Sequence, residues 1–552
     1  MNFINKIGKL DIILASIVSV FVFLMIFCTR DAIGFVRDEG FYMKAANEMA
    51  DWYESIERSF AEGEFAKPFS QKQTDRYFRF NHEHPPFMKE LFGLSNYIFH
   101  RKLKILETGS SARLVAALFA ALTALMIYLF GQIFFNRITA VTAPLLFFMM
   151  PHLFFHSHLA CFDVPILFFW SATFILYIFC IKTGKLSLHI VTAVFFALAM
   201  ATKHNVLFIP IILFASWLCF YFFSYRKESR SFSIKHFLTS VPKVFYFMVL
   251  ISIPLYFLLW PWMWHDTVNR FGDYMIFHTK HVNYTNYYFG QELATGPFPF
   301  SFPWAMTFFT TPLPQLICFF AGVIWFCSEF KNAASAKDRE ASLAMISGSL
   351  FPIFLIALPS VPIFGGIKHW FTGYPLMLTA GVFFVCENLK KLVKTDRYKD
   401  VFVALVFFAA AVSLVQPNVK FAKRGPAFYN LLIGGAEGAA ELRMQRNFWG
   451  YDMIDLAETL NKNAPSHSKV YIMGAYEGVN LNSFNFMREE GLVRKDLIGV
   501  NNLHDADFAF FFFEKQNENV FNEIAFEFGT AAPIAITSVD SVLYSALFRR
   551  TK

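Results

Sequence analysis

The residues best suited to chemistry in this sequence fall into a few short stretches. RDEGFYMKAANEMADWY opens with Arg37, Asp38 and Glu39. Paired carboxylates can take a proton from a hydroxyl, and they equally favour the start of a helix; on this stretch alone the two readings weigh the same. FNHEHPPFMKEL sets His82, Glu83 and His84 before Pro85 and Pro86. On an extended segment His82 and His84 point to one face with Glu83 opposite, and Pro85 keeps His84 extended. That set offers ligands for a divalent cation, with Asp38 and Glu39 as further candidates. The favoured alternative is a rigid polar corner leading into a surface helix over 86–100. HSHLACFDVPILFFW places Asp163 at the mouth of an apolar run, where an acid is a functional candidate by default. ATKHNVLF and FGGIKHWFTGYP bring Lys203 with His204 and Lys368 with His369, cations able to meet a phosphate as point charges.

The elements that must position these residues are membrane helices. Of the 552 residues, 56% are hydrophobic and only 16% charged, against about a quarter charged in soluble domains. The apolar residues come in runs long enough to cross a bilayer. Eleven spans are expected, near 10–28, 112–135, 138–156, 162–181, 187–203, 205–224, 243–262, 303–327, 342–362, 370–388 and 399–416. The net charge of +8 reflects topology rather than nucleic-acid binding. With Lys6 and Lys9 inside, alternate short loops carry Arg137, Lys182, Lys185, Arg226, Lys227, Arg230, Lys235, Lys331, Lys337, Arg339 and the basic cluster 390–399, as the positive-inside rule requires. This orientation predicts a plasma-membrane protein with a cytoplasmic N-terminus. Its outer face carries a long first loop over 29–111 with surface helices and a soluble tail over 417–552. Outside the tail, eleven of thirteen histidines then lie outward, among them His156, His278 and His281.

In the tail, KVYIMG, DFAFFFFEK and PIAITSVDSVLYSALFRR read as strands and FWGYDMIDLAETLNKN as helix, giving a small α/β domain. The seven cysteines sit in or beside apolar runs with no C-x-x-C spacing, so they read as packing residues. No small-residue cleavage site follows the first apolar run, which favours an uncleaved first span.

RDEGFYMKAA, NHEHPPFMKEL and LACFDVPILFFW, in that order, resemble the GT-C glycosyltransferases. Within them the chain is similar to the family 39 protein O-mannosyltransferases and the lipid A aminoarabinose transferases. FYNLLIGGAEGAAELRMQRNFWGYDM looks like the Gly-rich approach to the soluble domain of bacterial relatives. His84 follows Glu83 as in the mannosyltransferase H-P-P, whereas aminoarabinose-type enzymes have lysine there, which leaves sugar and acceptor open. The resemblance implies a GT-C-like transmembrane catalytic domain over 1–416. It also implies a polyprenyl-phosphate sugar donor and transfer to a hydroxyl of a periplasmic protein, lipid A or envelope glycan by an inverting single displacement. Asp38 is then the base, and Glu39 and Asp163 position sugar or acceptor. His82, Glu83 and His84 line the pocket, and Lys203, His204, Lys368 and His369 contact the lipid phosphate. No cofactor is required on this reading, with a divalent cation at Asp38, Glu39 or the His82/His84 pair left open. The rivals are a lipid or sugar transporter or flippase, which would place polar or broken spans at mid-bilayer, a membrane scaffold whose tail binds a partner, and a ligase that moves a preassembled glycan.

Overall fold

The computed structural model describes residues 7–227, 233–279, 283–446, 449–473 and 479–551; Lys6, Arg230 and His281 lie outside them. Among the described residues, seven helices are long and apolar enough to cross a membrane. The count is nine when each of two sharply bent pairs, Arg137–Phe148 with Pro151–His158 (75°) and Ile234–Ser240 with Lys243–Leu258 (73°), is one span. The other two expected spans are present as helices of a different kind. Leu186–Met200 has only 15 residues, and Tyr374–Lys391 ends on Glu387, Lys390 and Lys391. The chain is therefore a multi-pass membrane protein.

Side-chain bulk falls away where helices meet most closely. A Cβ on Gly322 would come within 1.9 Å of the Met377 carbonyl oxygen, and one on Gly381 within 1.7 Å of the Cys318 carbonyl. Helices Leu313–Asn332 and Tyr374–Lys391 thus touch backbone to backbone, the close approach that small residues permit between membrane helices.

The first loop is built on helix Arg37–Ala61. Its buried face packs on helix Phe87–Ser95, where Gly93 lies against the Ala46 carbonyl. Trp52 meets Phe78 and Phe69 edge-on. The surface helix expected over 86–100 is Phe87–Ser95 continued by a π-helical turn, Asn96–Lys102. The segment before it is not extended. Asn81 adopts φ +54°, His84 N–H donates to the Asn81 carbonyl at 3.3 Å, and residues 80–83 form a turn. The buried Lys89 ammonium fixes this turn by donating to the Asn81 carbonyl, the Asn81 side chain and the His84 carbonyl.

The last long helix, Asp396–Phe421, runs past the expected boundary at 416/417. Beyond it lies the α/β domain, a five-stranded sheet. Strand Lys469–Ile472 is central to a parallel set, between Ile498–Val500 and Phe508–Phe512. Phe508–Phe512 pairs antiparallel with Val542–Arg549, which forms a hairpin with Ala535–Val539. Strand Ile498–Val500 is too short, at three residues, to show an alternating pattern in sequence.

Candidate active site

Asp38 is the second residue of helix Arg37–Ala61 and Glu39 the third, so they diverge. Glu39 turns inward: one oxygen accepts the Val36 N–H and completes the helix cap. The same carboxylate takes the Arg113 guanidinium in a two-pronged bridge (2.9 and 2.8 Å) and the Ala160 N–H at 2.9 Å. Arg113 spends its remaining donors on the carbonyls of Arg30, Ile33 and Gly34. Glu39 is 0% exposed and its oxygens are engaged. These contacts pin the entry of the first loop to the helix starting at Thr108, at the residue the sequence offered for positioning sugar or acceptor.

Asp38 faces the other way. Lys368 Nζ donates to Asp38 Oδ2 at 2.8 Å. Lys368 sits in the turn Gly366–His369, entered through Gly365 at φ +67°. A Cβ at position 365 would stand 2.4 Å from Lys368 Cε, so the lysine stem follows this path only past a glycine. Its ammonium lies 3.9 Å from the centre of the Trp449 ring and 5.9 Å from that of Phe364. Burial pulls the Lys368 ammonium down, but the carboxylates of Asp38 and Asp163 outweigh it and hold it above the ordinary lysine value.

Asp163 begins helix Asp163–Thr183 and forms the second pair, with Lys203 Nζ at 3.0 Å. His156 Nδ1 stands 3.5 Å from its other oxygen. Lys203 precedes the short turn His204–Leu207. Two carboxylate–lysine pairs therefore share one end of the helix bundle, linked through Lys368. The Asp38 side chain is 22% exposed and that of Asp163 only 5%, so Asp38 is the more accessible of the two.

The histidines of the H-P-P segment separate. His82 lies on Trp262 (ring centres 4.4 Å) with Nδ1 2.7 Å from the Arg79 carbonyl. His84 turns to Tyr42, Phe162 and His278, at about 6 Å each. Asn81 in its left-handed conformation breaks the alternation on which a shared face depended. Burial pushes the imidazoles of His84 and His369 well below the usual histidine range, so both are neutral at pH 7. His204 stacks near His278 at 4.0 Å, and His278 Nε2 meets the Glu83 carbonyl at 3.0 Å. The Glu83 carboxylate accepts from Asn81 Nδ2 at 2.6 Å. His369 packs edge-on against Phe364. The stacked pair Tyr42 and Phe162, centres 3.9 Å apart, joins this histidine-rich wall to the carboxylates: Tyr42 lies one helical turn past Asp38 and Phe162 directly precedes Asp163.

Among the described residues no three His, Cys, Asp or Glu side chains converge as metal ligands. The four proposed ligands part company: Asp38 pairs with Lys368, Glu39 with Arg113, His82 lies on Trp262 and His84 among aromatic rings. Sequence reading missed the roles of Arg113 and Trp449. Arginine in the second turn of an apolar helix was the available signal for Arg113. Nothing in the local sequence marked Trp449, because its partner Lys368 is distant in the chain.

Residues 83–261 match the family model described as dolichyl-phosphate-mannose-protein mannosyltransferase. The match takes in the H-P-P turn, Asp163 and Lys203, so the resemblance seen in the motifs recurs over about a third of the chain. No curated protein sequence matches the chain. Among solved structures, ArnT from Cupriavidus metallidurans in the apo state is 12% identical, with 97% of each chain covered and a TM-score of 0.48. The oligosaccharyltransferase AglB from Archaeoglobus fulgidus, in complex with an inhibitory peptide and a dolichol-phosphate, is 13% identical. That likeness covers 93% of this chain and 70% of the other, with a TM-score of 0.49. Likeness at this level carries no argument about chemistry.

Proposed function

We propose that this protein is a membrane glycosyltransferase that moves a sugar from a polyprenyl-phosphate donor to a hydroxyl on the outer side of the plasma membrane. The observation that carries the reading is the pair of carboxylate–lysine contacts, Asp38–Lys368 and Asp163–Lys203, gathered at one lip of an apolar bundle. The family description attached to residues 83–261 names a lipid-phosphate sugar as donor. Asp38 takes the proton of the acceptor hydroxyl as its oxygen attacks the anomeric carbon. The bond from that carbon to the phosphate oxygen breaks, and the phosphate leaves as an anion that needs no protonation. Lys368 and Lys203 meet its developing charge in a site shielded from water. A single displacement inverts the anomeric centre. Asp163, held by Lys203 with the His156 ring beside it, positions the sugar. His84, His204, Glu83 and His369 wall the entry, and His82 flanks it on Trp262. Because the donor lipid lies in the bilayer, its phosphate arrives at the depth where the helices Asp163–Thr183 and His204–Phe222 begin.

The test is transfer of radiolabelled mannose from polyprenyl-phosphate mannose into protein, lipid A or polysaccharide fractions by the purified full-length protein. Asp38→Asn should reduce it by roughly 10²–10⁴-fold, the usual contribution of a general base. Undiminished transfer by a folded Asp38→Asn protein would overturn the assignment.

A further inference from the structure

Lys368 is held by a residue from outside the membrane bundle. Trp449 belongs to the segment that leads into the C-terminal α/β domain, and its indole face covers the Lys368 ammonium at 3.9 Å. Its backbone has φ +78°, a left-handed conformation rare for a bulky residue, and one that persists only where the surroundings impose it. They do so here. The Trp449 carbonyl accepts the N–H of Arg37, the residue before Asp38. The Tyr451 carbonyl presses on Gly34 so closely that a Cβ there would stand 2.1 Å away. Trp449 also meets His156, the neighbour of Asp163, with ring centres 5.3 Å apart. The domain clamps the same short segment once more and also grips the start of the helix Thr108–Phe134. Ser483 Oγ donates to the Val36 carbonyl at 2.8 Å, and the Glu490 carboxylate accepts the N–H groups of Gly109 and Ser110.

We infer that Trp449 is a positioning residue, delivered by docking of the C-terminal domain, which holds the Lys368 ammonium on Asp38 where the departing phosphate will need it. The ammonium has three N–H donors, and the one hydrogen bond to Asp38 leaves two to be directed. A tryptophan face attracts a cation through its quadrupole, most strongly where water is excluded. The domain is then part of the active site rather than an appendage to it. The inference rests on the reading of Lys368 as the phosphate-binding cation, and the experiment separates the two.

The full-length wild type, Trp449→Leu, Trp449→Phe and Lys368→Met proteins are compared in two assays. In the first, brief treatment with acetic anhydride and mass spectrometry measure acetylation of Lys368. Trp449→Leu should be acetylated there several-fold faster than wild type, and Trp449→Phe, which keeps an aromatic face, should stay close to wild type. In the second assay, mannose transfer from polyprenyl-phosphate mannose, Trp449→Leu should lose roughly two- to thirty-fold in kcat, the range spanned by cation–π contacts from exposed to desolvated. Its donor KM should change little, and Trp449→Phe should recover most of the rate. Unchanged Lys368 acetylation in Trp449→Leu, or a phenylalanine variant as impaired as the leucine one, overturns the inference. Normal transfer by Lys368→Met overturns the phosphate role of Lys368 and the functional part of this inference with it, while the acetylation arm still decides whether Trp449 holds the lysine.

Discussion

Replacing Glu39 by glutamine preserves the shape of the side chain and removes its charge, which makes it a sharp test of the division of labour between Asp38 and Glu39. In the native protein Arg113 and Glu39 are 2% and 0% exposed and share a two-pronged bridge. The variant leaves a buried guanidinium without its anion, a loss that costs about 3–5 kcal/mol when one partner of a buried pair is removed. The carbonyls of Arg30, Ile33 and Gly34 still receive Arg113 N–H donors, so the lower end, about 3 kcal/mol, is expected. Part of the loss also comes from a glutamine amide facing the Arg113 donors. Thermal unfolding in detergent, followed by tryptophan fluorescence, should show a clear downward shift for Glu39→Gln. The double variant Glu39→Gln/Arg113→Met should recover part of it by removing the stranded charge. Transfer activity per folded molecule should fall far less than in Asp38→Asn. A Glu39→Gln protein with native stability and no activity would refute the structural role and return Glu39 to the chemistry.

Three further outcomes follow from the same packing and charge. Lys203→Met takes from Asp163 the ammonium that donates to it, and should lower transfer by at least roughly tenfold, comparable to loss of a charge stabiliser at a reacting centre; a native rate would remove Lys203 from the site. Gly381→Ala pushes a methyl into the Cys318 carbonyl and should destabilise by about 1–3 kcal/mol, measurable as a lower unfolding midpoint with unchanged donor KM. Burial lowers the Lys89 ammonium to about 7, with only neutral acceptors in hydrogen-bonding contact. The unfolded chain then binds the extra proton between that value and the ordinary lysine value near 10.4, so stability should rise with pH across this window. Lys89→Met should flatten that rise, and an identical pH–stability slope in the variant would contradict it.

Much of this architecture was legible because the signals are local. Runs of apolar residues mark helices one at a time, Phe508–Phe512 declares itself as a short continuous apolar run and Met453–Asn463 by its helical period. Asp163, Lys203 and Lys368 stood out because charge at the end of an apolar helix is costly without a use. What the sequence withheld is pairing across distance. Whether Asp38 or Glu39 faces the cleft depends on Arg113, 74 positions beyond Glu39. The H-P-P segment misled for a different reason. Proline constrains the residue before it, but the turn is set upstream by Asn81 and from below by Lys89, neither of which an alternation rule weighs. The missing spans reflect length and end charge, since Leu186–Met200 is short and Tyr374–Lys391 is polar at one end.

The contacts between the first loop and the C-terminal domain also set an order of events in time. Val36 and Ser483 are 447 positions apart, and Gly109 and Glu490 are 381 apart. At synthesis rates of about 5–20 residues per second, the segment carrying Asp38 emerges tens of seconds before the residues that clamp it. It therefore waits, with the Glu39–Arg113 bridge as its main early fastening, while the helices between are made. The machinery that could react with a sugar lipid is assembled early and set last, so a chain interrupted before residue 449 holds both carboxylates and neither the ring nor the clamp that fixes their lysine.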